Sequence, residues 1–247
     1  MIHIAINGSA GRMGQTLAKL INDAPRLQLS AQLDTHNIGT LPDALKNAQV
    51  IIDFSVPEAT IALCQAAADA GVALVIGTTG ISAEQEKIIH AAAKKIPVVY
   101  SGNYSLGVNV LATLVERAAA SLPPELFDIE IFESHHKHKV DAPSGTAMML
   151  GRAAAEARGK KLDDIITPAR HGHTGARSEG SIGFSVARGG DVAGDHTVYF
   201  YGLQERLELT HRATDRAIFA RGALHAARWV TDKPAGLYTM RDVLGLT

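Results

Sequence analysis

Hydrophobic and polar positions follow two different rhythms along the chain. Over the first hundred residues, short apolar runs at Ile2–Ile6, Leu27–Leu33, Val50–Phe54, Val72–Ile76 and Ile96–Tyr100 alternate with longer stretches of helical spacing at Arg12–Asn22, Pro57–Ala70 and Ser82–Lys95. Such alternation predicts a parallel, doubly wound sheet of the Rossmann-like α/β class. Pro57 suits the first turn of a helix, and Ser82-Ala83-Glu84-Gln85 reads as a capping box opening another. Only eighteen residues separate Asp34 from Asp53, and Asn37-Ile38-Gly39-Thr40 reads as a turn. That crossover is expected to shrink to a turn or a single helical turn.

After about residue 105 the rhythm changes. Leu106–Ala120 has helical spacing. The segments Asp128–Glu133, Ile182–Val186, Val198–Phe200 and Arg206–Leu209 instead alternate with period two. One apolar face per strand means a half-buried sheet, open on its other side. The last three such strands, joined by short turns, predict an antiparallel meander within an open mixed or antiparallel sheet. Thr167–Gly180 is polar and aperiodic and reads as a mobile loop. Asp215–Val230 returns to helix, followed by an irregular tail.

Composition narrows the class. With 247 residues, 46% hydrophobic and 20% charged, the chain is globular, not disordered or fibrous. Its 24 Lys+Arg against 25 Asp+Glu leave no electrostatic footprint for nucleic acid or an anionic membrane. No basic leader or long apolar run marks a signal peptide or a membrane span. The single cysteine, Cys64, lies in an Ala-rich stretch with no nearby His; it reads as a packed thiol in a reducing compartment. A cytoplasmic protein is expected.

The first strand runs straight into Gly8-Ser9-Ala10-Gly11-Arg12-Met13-Gly14 and then a helix. This GxxGxxG turn suits a dinucleotide. Gly8 permits the tight turn, a bare backbone admits the pyrophosphate, and Gly14 allows close helix–strand packing. The helix start then offers N–H groups to phosphates. Asp34, twenty residues beyond Gly14, is placed to bind an adenine ribose. A carboxylate there repels a 2′-phosphate, which predicts NADH over NADPH. Two further loops, Gly77-Thr78-Thr79-Gly80 and Ser101-Gly102-Asn103-Tyr104, follow the fourth and fifth strands. Ligands in parallel sheets bind beyond those strand ends; read singly, each loop is equally plain turn chemistry.

The densest chemistry is the stretch from Glu133 to Ala147. Three histidines and two lysines fall within His135-His136-Lys137-His138-Lys139. Three readings compete. A metal site is disfavoured because the lysines repel a cation and no Cys or carboxylate set completes the coordination. A solvated basic loop is the bland alternative. A receptor for a dianionic substrate is the third: Pro143-Ser144-Gly145-Thr146 opens a helix, so the N–H groups of Gly145 and Thr146 would face the basic loop. A histidine beside them can move a proton near neutral pH.

The motifs Gly8–Gly14, Asp53-Phe54-Ser55, Gly77–Gly80, Asn103–Asn109 and above all His135–Ala147 resemble the dihydrodipicolinate reductase family. The resemblance extends through Ile182-Gly183-Phe184 to Met240–Leu244. It implies NADH- or NADPH-dependent reduction of 4-hydroxy-tetrahydrodipicolinate, a small dicarboxylate, with loss of water, in diaminopimelate and lysine biosynthesis. It further implies His135 as proton donor and acceptor and Lys139 as proton donor and carboxylate partner. His136 becomes a substrate contact, and Gly145 with Thr146 the grip on a carboxylate. The cofactor contacts become Gly8, Ser9, Ala10, Gly11, Arg12, Met13, Asp34, Gly77, Thr78, Thr79, Ser101, Gly102, Asn103 and Tyr104. No metal is implied. A homotetramer built through the second domain's sheet is implied, as is a nucleotide-binding domain of residues 1–105 plus 216–247 around a substrate domain of 106–215. Thr35 stands where many members carry Arg. Outside this family, another amino-acid-pathway dehydrogenase or a dinucleotide-sensing protein without turnover would share the first half of the chain.

Overall fold

The computed structural model describes residues 1–246. In chain order it runs β1 (Ile2–Asn7), α1 (Arg12–Asn22), β2 (Leu27–Leu33), α2 (Leu41–Asn47), β3 (Val50–Asp53), α3 (Pro57–Ala70), β4 (Ala73–Ile76), α4 (Ala83–Ala93) and β5 (Pro97–Tyr100). Next come α5 (Leu106–Ser121), β6 (Asp128–His135), α6 (Gly145–Ala157), α7 (Leu162–Ile165), β7 (Ile166–Thr167), β8 (Ile182–Arg188), β9 (Gly194–Gly202) and β10 (Glu205–Ala213). The chain closes with α8 (Ala217–Val230), β11 (Gly236–Tyr238) and α9 (Met240–Leu244). Internal contacts divide it into two units: Met1–Leu106 with the segment from Ala217 onward, and Gly107–Arg216.

The first unit is a six-stranded sheet in the order β11-β5-β4-β3-β1-β2, parallel throughout. Ile4, Ile6, Val50, Ile52, Val75 and Val99 pack on one face against Leu17 and Ile21 of α1 and the small side chains Ala220, Ala223 and Ala227 of α8. Ala5, Ile51, Leu74, Ile76 and Val98 face the opposite layer, which includes Leu63 and Cys64 of α3 and Ile89 of α4. Two buried faces explain why these strands read as unbroken apolar runs. The Ser82–Gln85 capping box forms, and α3 begins at Pro57 and ends at the left-handed Gly71. Strand order reverses between β1 and β3, which puts the topological switch point at the carboxyl end of β1.

Two expectations for this unit need correction. Between Asp34 and Asp53 the chain makes a 3₁₀ turn at Ile38–Thr40 and then the seven-residue α2. Leu41 and Pro42 start that helix, and Ala44 and Leu45 pack into the core. The tail is also regular. β11 adds a parallel strand beside β5, and α9 has its own capping box, Thr239 with Asp242.

The second unit is a five-stranded sheet in the order β10-β9-β6-β8-β7. The expected antiparallel meander is incorrect. β9 pairs antiparallel with β10 and with β6, while β8 lies on the far side of β6 and runs parallel to it. The polar stretch between β8 and its neighbour hid this, because alternation reports which face is buried but not which strand is adjacent. Ile129, Ile131, Ile182, Phe184, Val198 and Phe200 pack against α5 and α6. The other sheet face carries Phe132, Ser185, Tyr199 and Tyr201.

The aperiodic segment 168–181 is irregular, as expected, yet strongly tied to that face. Arg177 binds Asp128 at 2.6 Å, Glu130 at 3.0 Å and the Ile129 carbonyl at 3.0 Å. Arg170 adds a two-pronged contact to Glu130. Glu130 lies over Gly183, where a Cβ would come within 2.0 Å of its carboxylate.

Candidate active site

In the first unit, the loops after β1, β2, β3, β4 and β5 share the carboxyl edge of the parallel sheet. The turn after β1 is built as its glycines require. Gly8 has φ +82°, and a Cβ there would stand 2.4 Å from the Phe54 carbonyl oxygen after β3. A Cβ on Gly14 would lie 2.3 Å from the Gly8 oxygen and 2.5 Å from Ser9 Cα. The Gly8 and Ser9 N–H groups donate to the Leu33 carbonyl, tying the turn to β2. α1 has Gly11 as its N-cap, with no side chain capping it and no acid in its first turn. Its start therefore suits a phosphate. Ala10, Gly11 and Arg12 are exposed at this turn, Ser9 is buried beneath it, and Met13 packs on the core. These residues fit a dinucleotide: the space is kept by glycine and the donors are uncapped.

Asp34 follows β2. One carboxylate oxygen accepts the His36 N–H at 2.8 Å, and the Asp34 N–H donates to Asn37 Oδ1 at 2.7 Å. The acid is thus fixed in a tight turn beside exposed Thr35 and His36.

A buried polar hub underlies these loops. Asp53, at the end of β3, has no solvent exposure. It accepts from Asn7 Nδ2 at 2.7 Å, Ser55 Oγ at 2.5 Å, Thr60 Oγ1 at 2.5 Å and Thr78 Oγ1 at 2.9 Å. Four donors from four segments satisfy a group that could not otherwise be buried. The Thr78 hydroxyl also accepts the Ser55 N–H, so its side chain is committed to the hub and faces away from solvent. Gly77 leaves room for the Phe54 ring, which a Cβ would approach to 2.2 Å; Thr79 is exposed.

Tyr104 turns its side chain inward. Its ring is 1% exposed and packs edge-on against Phe54. Its hydroxyl lies 2.8 Å from the Ile76 carbonyl and 3.0 Å from that of Val99, so it locks the ends of β4 and β5. Burial, then the charge of Asp53, pushes the phenol well above its ordinary pKa and keeps it neutral. Ser101 and Asn103 brace the same loop through Ser101 Oγ and the Asn103 backbone, with Gly102 exposed between them.

In the second unit, β6 delivers Glu133 and His135 to the helix-covered face, two residues apart. His135 Nδ1 lies 2.6 Å from Glu133 Oε2. A carboxylate only accepts, so Nδ1 carries the proton and Nε2 is the basic nitrogen of the neutral ring. Gly194, at φ +155°, makes room for that nitrogen: a Cβ would sit 2.9 Å from Nε2. Arg188 grips both Glu133 oxygens at 2.7 and 2.8 Å, and the Ser144 N–H donates to Glu133 at 2.9 Å. Burial works to raise the Glu133 pKa. Arg188, His135 and the Ser144 amide together outweigh it and hold the carboxyl below its usual range.

The basic loop follows directly. Lys139 Nζ is 2.8 Å from both oxygens of Asp141, and that contact is the main reason Asp141 has a lowered pKa. The pKa of His136 is lowered by desolvation, then by Arg216, His135, His138 and Lys139. This is a concentration of positive charge. Ser144 caps α6 by accepting the Ala147 N–H at 3.1 Å, so the cap takes the third amide of the helix and not those of Gly145 and Thr146. Ser144 Oγ also contacts His196 Nε2 at 3.0 Å. His196 lies 5.1 Å from the His135 ring and is pushed down to about 4 by burial and by His135. No group of His, Cys, Asp and Glu suited to a metal occurs among the described residues.

The structure thus brings His135, His136, Lys139 and the start of α6 into one neighbourhood. It adds Glu133, Arg188, His196 and Arg216, to which the sequence assigned no role. A signal for Glu133 exists. It shares the buried phase of its strand with Ile129, Ile131 and His135, and a carboxylate in that phase demands partners. Asp53 likewise closes an otherwise apolar buried strand.

A parallel sheet with a glycine turn at its switch point, together with a separate sheet unit bearing a carboxylate-paired histidine beside a basic loop and a helix start, matches the class of dinucleotide-dependent oxidoreductases. Comparison with known proteins narrows that class. Residues 2–104 match the family model for the dihydrodipicolinate reductase N-terminus, and residues 107–244 that for its C-terminus. The 4-hydroxy-tetrahydrodipicolinate reductase of Caulobacter vibrioides is 52% identical over 250 residues, covering 99% of this chain and 97% of the relative. That of Nitrosomonas eutropha is 47% identical over 266 residues, covering 100% and 99%. Among solved structures, the dipicolinate-bound dihydrodipicolinate reductase from Paenisporosarcina sp. TG-14 superposes with a TM-score of 0.80 at 25% identity, covering 97% of each chain. The chain belongs to the dihydrodipicolinate reductase family.

Proposed function

We propose that the two units carry the two halves of one reduction: the β1–α1 turn and its neighbouring loops hold a nicotinamide dinucleotide, and His135, His136, Lys139 and the first turn of α6 hold the substrate. The reaction is the reduction of 4-hydroxy-tetrahydrodipicolinate to tetrahydrodipicolinate, with loss of water, in diaminopimelate and lysine biosynthesis. The observation that carries the site assignment is the His135–Glu133 contact beside an amide-rich helix start.

The nicotinamide, when bound, supplies the hydride. The chain supplies the rest. Lys139, released from Asp141, and the Gly145 and Thr146 amides receive substrate carboxylates and favour the charge that develops on the ring as water leaves and hydride adds. His135, with Nε2 as its exchangeable position, relays the proton that completes reduction. Arg216 adds positive charge that draws in a dianion, and His136 stands beside it as a substrate contact. Asp34, beside Thr35 and His36, supports NADH as the preferred cofactor over NADPH, because its carboxylate opposes a 2′-phosphate and no arginine follows it. The half-apolar sheet face with Phe132, Tyr199 and Tyr201 supports assembly into a homotetramer. The unpaired, buried Cys64, raised to about 12 by burial and Asp53, suits the cytoplasm. Among the described residues no helix is long and apolar enough to cross a membrane.

The test follows nicotinamide absorbance with the synthase product as substrate. His135→Gln should lower kcat by roughly 10²- to 10⁴-fold, the usual worth of general acid–base catalysis, with NADH affinity unchanged. An undiminished kcat would remove His135 from the mechanism. In the same assay, a lower KM for NADPH than for NADH would overturn the cofactor preference.

A further inference from the structure

One carboxylate links the proton-transfer group to the anion receptor. Glu133 is completely buried, and its two oxygens serve three elements. Oε2 takes His135 Nδ1 from its own strand at 2.6 Å, and Oε1 takes the Ser144 N–H at the mouth of α6 at 2.9 Å. Arg188, from the end of β8, takes both oxygens and also binds the Asp141 carbonyl in the basic loop at 2.6 Å. A carboxylate in such a place is costly unless every lone pair is used, and here the neighbours use them.

We infer that Glu133, clamped by Arg188, is the positioning residue of this active site: it holds His135 in the Nδ1–H form with Nε2 available, and fixes the start of α6 at a set distance from that nitrogen. The inference rests on the reading of His135 as the proton-transfer group. Its physical content is a restriction of two freedoms. Without Glu133, the imidazole of His135 could rotate or adopt the Nε2–H tautomer, in which the nitrogen facing Gly194 can no longer accept a proton. Without the Ser144 contact, the first turn of α6 would lose its backbone tie to the strand that carries His135. The other groups around His135 cannot take over. His196 is neutral near pH 7 and presents its ring edge-on, while Lys139 and Arg188 are cations that can only donate.

Glu133→Gln is the informative change. Gln keeps the shape but has one acceptor oxygen, which the fixed Ser144 N–H and one arm of Arg188 claim at the Oε1 position. Its NH₂ group then faces His135 and turns Nδ1 into an acceptor, which forces the proton onto Nε2. The experiment is a long-range ¹H–¹⁵N spectrum of the full-length protein with ¹⁵N-labelled histidine, the His135 signals being assigned by their loss in His135→Gln. In the wild type, His135 should show a protonated Nδ1 and a bare Nε2. In Glu133→Gln the pattern should invert, and kcat should fall at least about 100-fold, in line with the cost of a misoriented catalytic imidazole. NADH affinity, read by fluorescence, should stay within twofold. Glu133→Asp, which restores the charge one methylene short, should recover the Nδ1–H form and part of kcat.

A bare Nδ1 in the wild type would overturn the inference without any variant, and it decides the matter even if Glu133→Gln does not fold. An unchanged tautomer with kcat within twofold in Glu133→Gln would do so too. Full kcat in His135→Gln would instead overturn the assignment of His135 itself, while leaving the tautomer result intact.

Discussion

His196 shows how burial converts one side chain into a pH-dependent share of stability. Its folded pKa of about 4 lies below the ordinary histidine value of 6.5, because burial and the neighbouring His135 oppose its charged form. Between those values the unfolded chain binds a proton that the folded chain does not, so stability rises with pH across that window. The contribution is complete above about pH 6.5 and is lost as pH falls toward 4, a change of about 3 kcal/mol at most. Glu133 acts in the same sense at lower pH, since its pKa is held down in the fold. His196→Gln should therefore flatten the decline in urea midpoint between pH 7 and 4.5. An equally steep decline in the variant would assign it to other groups. Residues of this kind were hardly legible in the sequence. The His135–Lys139 cluster stood out because its chemistry is contiguous. His196 and Glu133 acquire meaning only when strand pairing sets them beside groups remote in the chain.

At the scale of elements, the glycine turn and α1 were legible almost residue by residue, because steric exclusion leaves a local mark. The structure ranks Gly14 above Gly11. A Cβ on Gly14 meets backbone at 2.3 Å, whereas one on Gly11 meets only the Gly8 oxygen at 3.3 Å. Backbone cannot swing aside as a side chain can. Gly14→Ala should thus cost roughly 1–3 kcal/mol, the range for forcing atoms into packed space, and weaken NADH binding at least tenfold. Gly11→Ala should do much less on both counts. Thermal unfolding and NADH fluorescence titration check the pair; equal effects would contradict the ranking. The elements that escaped the sequence were short ones. α2 and α9 are seven and five residues long, too brief for periodicity to show. The Thr239–Asp242 capping box was nevertheless present as a signal. Strand order in the second sheet escaped for another reason: it is set by long-range pairing of β6 with β9 and β8.

For the whole molecule, the open face of the second sheet bears on assembly. Phe132 and Tyr201 are 37% and 39% exposed, and Tyr199 stacks on Tyr201 at 5.4 Å. Beside them, Glu130 is neutralised by Arg170 and Arg177. Burying that face against a second copy would remove apolar surface from water while leaving no lone charge. If that face joins two copies, Phe132→Lys should lower the mass measured by light scattering; an unchanged mass would remove the face from assembly. The order of the chain has another consequence. The nucleotide-binding sheet begins at residue 2 and gains its edge strand only at Gly236–Tyr238, while the second unit is one uninterrupted stretch between. On the ribosome, the first unit must wait with that edge unpaired until Gly236–Tyr238 has been made, whereas the second unit emerges complete before it.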